Sequence, residues 1–135
     1  MNAEMLQISW TWVAILAPCG LVMALVSCFI GMKPQVENPA WWGLYVVWIV
    51  ITAAFQLDAA PMTLWVSSVI AGALHGVTTA TFIDAYQANN PWHAESMKGP
   101  KLKWRLQFLL IGPVIGFIFG AIVASMSWAV GRYVL

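Results

Sequence analysis

The sequence predicts an all-α fold, an integral membrane bundle of four transmembrane helices in a single domain over residues 1–135. Hydrophobic residues make up 61% of the chain and charged residues only 8%, whereas soluble domains are about 25% charged. A soluble fold of this length could not bury so much apolar surface, because small domains leave much of their surface exposed. Four long apolar segments and recurrent small residues complete the evidence for a membrane protein.

Four apolar segments follow one another along the chain. We predict spans over residues 6–32, 41–57, 61–83 and 106–130, with the first either tilted or kinked at Pro18. A bilayer core about 30 Å thick needs roughly 20 apolar residues in a helix, so the second span is short and the first is long. Pro61 suits the first turn of the third helix, and Asp58 is expected to cap it. Residues 84–105 are predicted to form a polar loop.

Small residues recur in three of the predicted spans, loosely in the first and at strict four-residue steps in the third and fourth. Such a step advances about 400° around a helix, so these residues form a single packing face that lets two helices approach closely in lipid. The faces comprise Ala17, Gly20 and Ala24 in the first span; Ser68, Gly72, Gly76 and Ala80 in the third; and Gly112, Gly116, Gly120 and Ala124 in the fourth. They pack either within the chain or between chains. The second span has bulky residues instead and is predicted to face lipid.

The basic residues predict the orientation of the chain. Loops rich in Lys and Arg stay in the cytoplasm, so we expect the loops at 33–40 and 84–105 to be cytoplasmic and both termini to lie outside. A bacterial inner membrane is the default location. Next to such a membrane, each basic side chain gains about 1 kcal/mol from anionic lipid. We therefore predict lipid headgroup contacts for Lys98, Lys101, Lys103 and Arg105.

His75 is the one imidazole inside a predicted span. Ionisable groups within a membrane are costly and are commonly functional. One interpretation is a structural hydrogen bond between helices. A second is a solute or proton path that also includes Thr78, Thr79 and Asp84. A third is ligation of a haem or chlorin, since the spacing Ala71-x-x-x-His75 resembles the pigment-binding pattern of light-harvesting helices.

The remaining polar residues predict no catalytic centre. Glu37 is interpreted as a solvated loop residue, and His93 with Glu95 provides too few ligands for a metal site. No phosphate-binding glycine loop, nucleophile elbow or metalloprotease motif is present. A net charge of +1 gives no basic surface for nucleic acid. The sequence therefore predicts a non-enzyme without a metal or cofactor.

Several functional hypotheses are compatible with this composition. The first is a non-catalytic assembly subunit of a homo-oligomer or larger membrane complex, joined to other membrane subunits through its small-residue faces. The alternative is an oligomeric channel or small-solute transporter with a polar path along the third span around His75. A permeabiliser of the phage-lysis type and a pigment- or haem-binding subunit are the remaining hypotheses.

Overall fold

The computed structural model describes residues 7–55 and 59–133. All regular structure in these residues is helical, which confirms the predicted all-α class. The helices are α1 (Trp10–Leu16), α2 (Cys19–Phe29), α3 (Pro34–Ala54), α4 (Ala60–Thr81), α5 (Ile83–Asn89), α6 (Pro91–Ala94) and α7 (Lys101–Tyr133).

Three helical stretches in the described residues are long and apolar enough to cross a membrane: Trp10–Phe29, Ala60–Thr81 and Lys101–Arg132. The predicted count of four is therefore supported only in part. Helix α3 has 21 residues, but its first turns carry Gln35, Glu37 and Asn38, which reduce its apolar length. The predicted ends of spans one and two at Leu6 and Leu57, and the predicted cap Asp58, lie outside the described residues.

Helices α1 and α2 form one rod that is interrupted at Ala17 and Pro18. Proline has no backbone N–H and cannot extend the hydrogen-bond ladder of the preceding turn. The ladder resumes at once, because the Val22 amide donates to the Pro18 carbonyl at 3.1 Å. The interruption divides the first rod into two shorter helices.

Glycine-to-glycine contact joins α4 to α7. A Cβ atom added to Gly72 would lie 2.3 Å from the Gly112 carbonyl oxygen, and one added to Gly116 would lie 2.4 Å from the Ser68 carbonyl oxygen. Real side chains never approach so closely, so only glycine permits this helix separation. The small-residue faces of the predicted third and fourth spans therefore pack against each other inside one chain.

The small-residue face of α2 contacts α4 in the same way. A Cβ added to Gly20 would lie 2.1 Å from the Ala71 carbonyl oxygen of α4, and Ala24 is fully buried. Of the other predicted packing residues, Ala17, Ser68 and Ala80 are also buried, and Gly120 contacts Trp65. Helix α4 is consequently the centre of the molecule, with α2 on one side and α7 on another.

Helix α3 differs from the prediction that it faces lipid with its bulky residues. Tyr45, Trp48 and Ile49 belong to the hydrophobic core, and Trp48 is only 1% exposed. Valines on the opposite face, such as Val46 and Val50, are exposed. A helix without small residues stands farther from its neighbours, and its large side chains fill the resulting space.

The segment 84–105, predicted as a polar loop, folds back onto the bundle as α5, α6 and the start of α7. Ile83 and Tyr86 are buried beside Cys28 of α2. The Asn90 side chain donates to the Ser27 carbonyl at 2.7 Å and accepts from the Met32 amide at 3.1 Å. The segment therefore satisfies backbone groups that the end of α2 leaves open.

Candidate functional site

A cavity of about 570 Å³ lies between α3, α4 and α7, and Tyr86 of α5 and His93 of α6 also line it. Most of its lining residues recur at steps of three and four, which place them on one face of each helix. The lining is formed by Pro34, Glu37, Asn38, Trp41, Trp42 and Tyr45 of α3; Gly72, His75 and Gly76 of α4; and Phe108, Ile111, Gly112, Ile115, Gly116 and Phe119 of α7.

The packing of the three helices explains why the cavity exists. Helices α4 and α7 approach closely through their glycines, so they present a smooth surface on that side. Helix α3 cannot approach this surface closely, because Trp41, Trp42 and Tyr45 project from it. The space between the bulky and the smooth surfaces is the cavity.

Glu37 and His75 form the polar centre of this cavity. Glu37 Oε1 lies 3.6 Å from His75 Nε2, and the side chains are 17% and 16% exposed. The Ser27 hydroxyl donates to Glu37 Oε1 at 3.4 Å, whereas His75 Nε2 has no hydrogen-bond partner among the described residues. A small shift of either side chain would complete a hydrogen bond between carboxyl and imidazole.

The electrostatics of Glu37 follow from its position in the first turn of α3, ahead of the apolar stretch that begins at Trp41. Burial raises the pKa of the Glu37 carboxyl, because the charged form is poorly solvated there. His93, Ser27 and the Trp41 side chain lower that pKa, in that order of effect, but they do not cancel the effect of burial. The carboxyl therefore holds a proton at higher pH than a solvated glutamate does.

Aromatic rings surround the polar centre. The Trp41 ring meets the His75 ring edge-on, with centroids 5.6 Å apart. The Trp42 ring meets Phe119 of α7 in the same way at 5.3 Å. The Tyr45 hydroxyl accepts a hydrogen bond from Ser68 at 3.0 Å, which fixes α3 to α4 below the cavity. The walls around the polar centre are thus largely aromatic.

The structure does not bring the predicted path residues together. Only His75 lines the cavity. Thr78 and Thr79 are buried but lie outside the lining. Asp84 is exposed and forms an ion pair with Lys101 on the surface, and the Lys101 ammonium holds the pKa of the Asp84 carboxyl below its usual range.

The basic side chains predicted to contact lipid lie at the same end of the bundle as the cavity. Lys98, Lys101, Lys103 and Arg105 are all exposed, in or beside the first turns of α7. The Lys103 ammonium lies 5.3 Å from the centre of the Trp104 ring. Lys101 is paired with Asp84, and contact of these side chains with lipid headgroups stays a prediction.

Glu37 and His93 are functional candidates that the sequence analysis placed in loops. The interpretation of Glu37 as solvated is wrong, because α3 begins at Pro34 rather than near Trp41 and carries the carboxylate inward. Proline at a first helical position is a recognised start signal. With that start, the spacing Glu37, Trp41 and Tyr45 would have shown one helix face.

Among the residues that the structure describes, no three His, Cys, Asp or Glu side chains are grouped so that they could hold a metal ion. The chemistry available in the cavity is therefore that of one carboxyl group, two imidazoles and aromatic surfaces. Such groups can exchange protons and bind a small polar or cationic molecule.

No protein-family model matches the sequence, and searches of curated proteins and of solved structures return no match. The fold and the cavity consequently define the class of the molecule. The chain is an all-helical protein with helices of membrane-spanning length and composition in its described part. Its polar centre lies at one end of that bundle.

Proposed function

We propose that this chain is a small-solute transporter of the membrane, with the cavity at Glu37 and His75 as its solute site. One observation carries the proposal: a carboxyl and an imidazole lie 3.6 Å apart in a cavity between three helices. Burying ionisable groups is costly unless they are paired. A purely structural contact would require neither the cavity nor two further polar residues, Asn38 and His93, in its lining.

The mechanism that we propose couples solute binding to proton exchange. Burial in the cavity raises the pKa of the Glu37 carboxyl and so favours its neutral form. A solute that interacts better with the charged carboxylate displaces the proton, and His75 accepts or donates a proton at either ring nitrogen. Solute would then enter the site from one side of the membrane and a proton from the other side, and the two would occupy the site in turn.

The proposal includes α3 as a fourth span. The hydrogen bond from Ser68 to Tyr45 and the burial of Trp48 support it, because they hold α3 against α4 along its apolar part. With four spans, Lys33 and the basic residues near the start of α7 lie at one end of the bundle. By the positive-inside rule this end, and with it the cavity, faces the cytoplasm and both termini lie outside. A bacterial inner membrane remains our proposed location.

The assembly hypothesis has less support than transport. It relied on small-residue faces, and Gly20, Gly72, Gly112 and Gly116 already contact other helices of the same chain. Self-association or association with other membrane subunits would have to use another surface. Association between chains stays a prediction, which a measurement of the particle mass can test.

The test uses proteoliposomes that contain the full chain and a pH-sensitive dye. Choline and glycerol are added outside in turn, and internal pH is followed. We expect at least one solute to change internal pH, and we expect Glu37→Gln and His75→Ala to abolish the change. Asp84→Asn is the matched control, because its carboxylate is exposed and paired on the surface. Silence of the wild type with both solutes, or an unaltered response in Glu37→Gln, would contradict the proposal.

A further inference from the structure

We infer that the cavity between α3, α4 and α7 binds a monovalent organic ammonium group, the shared chemistry of free choline-like amines and of choline lipid headgroups. This inference rests on the proposed function for the role of the cavity, and it specifies the class of solute. It is carried by the charge of the lining, by the aromatic walls and by the volume of the cavity.

The charge of the lining favours a cation. Among the residues that the structure describes, Glu37 supplies the only carboxylate of the lining, and no Lys or Arg lines the cavity. The imidazoles of His75 and His93 also line it, and neither is a fixed cation. An anionic solute would meet the carboxylate without a permanent positive charge to balance it. A cation would instead form an ion pair with Glu37 inside a site of low polarity.

The aromatic walls favour an organic cation over a metal ion. A desolvated ammonium group is attracted to the faces of aromatic rings within about 6 Å, and methylated ammonium groups are recognised in this way. Six aromatic residues line the cavity: Trp41, Trp42, Tyr45, Tyr86, Phe108 and Phe119. Ions such as Ca²⁺ require six to eight oxygen ligands, and one carboxylate does not provide them. A volume of about 570 Å³ also suits a small molecule.

Binding of a cation should release a proton. The groups that face Glu37 are His75 from α4, His93 from α6, Tyr86 from α5, and Cys28 and Ser27 from α2. None of these is a fixed cation, so the empty site favours a neutral Glu37 carboxyl. An ammonium group favours the carboxylate, and the proton leaves to water as the ion pair forms. Affinity for the cation should accordingly rise with pH.

The experiment measures binding to the purified full chain in a non-ionic detergent by titration calorimetry. Choline is compared with dimethylbutanol, its uncharged carbon isostere. We expect choline to bind at least about tenfold more tightly, the factor that one charge-assisted contact provides. We also expect choline affinity to rise with pH in the wild type but not in Glu37→Gln, and to be at least about tenfold weaker in that variant. Asp84→Asn should bind as the wild type does.

A second variant keeps the inference testable if Glu37→Gln does not fold. Trp42→Leu keeps an apolar side chain at a half-exposed position, and it should weaken choline but not dimethylbutanol. Equal affinity for choline and its isostere, or unchanged choline affinity in both Glu37→Gln and Trp42→Leu, would overturn the inference. A protein that binds neither compound nor a short-chain phosphatidylcholine would overturn it as well.

A further arm distinguishes the two sources of the ammonium group. Monomeric short-chain phosphatidylcholine and phosphatidylglycerol are titrated as competitors of choline. Competition by phosphatidylcholine alone assigns the site to a lipid headgroup, and absence of competition by both lipids assigns it to a free amine. The outcome is separable from that of the transport assay. Choline binding without any flux would sustain this inference and remove the proposed function, whereas flux of another solute without choline binding would do the reverse.

Discussion

At the scale of single residues, Glu37 and His75 depend on each other because they face one another across α3 and α4. Neither has a fully exposed side chain, and neither has a permanent opposite charge beside it. Their protonation states are therefore set by burial and by whatever occupies the cavity. The stability that this pair contributes should therefore depend on pH.

The first prediction concerns the stability of Glu37→Gln as a function of pH. Burial raises the pKa of Glu37 in the folded state above its usual value of 4.5, so the folded protein binds this proton more tightly than the unfolded chain does. Stability from this group is therefore fully present below 4.5 and is lost as pH rises through the folded pKa. We expect Glu37→Gln to unfold at a higher temperature than the wild type at neutral pH, with the difference vanishing in acid. Parallel melting curves across this range would contradict the burial of the carboxyl.

The second prediction concerns Gly31, which follows α2 with a φ of +82°. A Cβ there would lie 2.2 Å from the Asn89 carbonyl oxygen. Gly99 has a φ of +105° but no neighbouring atom within 4 Å. We expect Gly99→Ala to cost about 1–2 kcal/mol of unfolding free energy from backbone strain alone. Gly31→Ala should cost about 1–3 kcal/mol more from the clash, and equal losses in denaturant unfolding would contradict the assigned contact.

At the scale of helices, the α4–α7 contact and the segment 83–97 position the cavity. The glycines set the distance between α4 and α7, and α5 and α6 close the end of α2. Each of these two features can be tested by a substitution with a matched control.

The third prediction is that Gly116→Ala separates α4 from α7. Its Cβ would lie 2.4 Å from the Ser68 carbonyl oxygen, a backbone atom that cannot move aside by itself. We expect a loss of about 1–3 kcal/mol in unfolding free energy. Gly43→Ala is the control, since nothing lies within 4 Å of a Cβ there, and helix propensity predicts a gain of up to about 1 kcal/mol. Similar effects of the two variants would argue against a glycine-mediated contact.

The fourth prediction concerns Asn90, whose buried side chain links α5 and α6 to the end of α2. Asn90→Ala removes bonds to the Ser27 carbonyl and to the Met32 amide, and each buried group left unpaired costs about 1–3 kcal/mol. Hydrogen exchange at the Met32 amide should become faster. Asn89→Ala serves as the comparison, because Asn89 donates to the Cys28 carbonyl and does not bond Met32. Unchanged exchange at Met32 in Asn90→Ala would refute this link.

At the scale of the whole molecule, the sequence predicts the helical membrane class and the contact faces but not how the faces pair. Gly72 and Gly112 are recognisable locally, because four-residue spacing of small residues is a property of one helix. Whether their partner belongs to the same chain depends on tertiary packing, which no single segment encodes. Glu37 was misplaced for a related reason: its environment depends on α4 and α6, which are far away in sequence.

The pairing of the faces also determines what mass measurement should show. Because the glycine faces are occupied within the chain, Gly116→Ile should lower thermal stability without changing the mass of the particle in mild detergent. Native mass spectrometry of wild type and variant provides the comparison. A complex that dissociates in Gly116→Ile into a stable, folded monomer would show instead that this face joins separate chains.

Solid-state NMR on the protein in lipid bilayers tests the contact of Glu37 with His75 most directly. The chain has two histidines, His75 and His93, so labelling histidine with ¹⁵N and glutamate carboxyl carbons with ¹³C gives few couplings to assign. We predict a dipolar coupling between a glutamate carboxyl carbon and an imidazole nitrogen that persists in His93→Gln and disappears in Glu37→Gln. A spectrum of His93→Gln without that coupling would contradict the 3.6 Å contact and the site built on it.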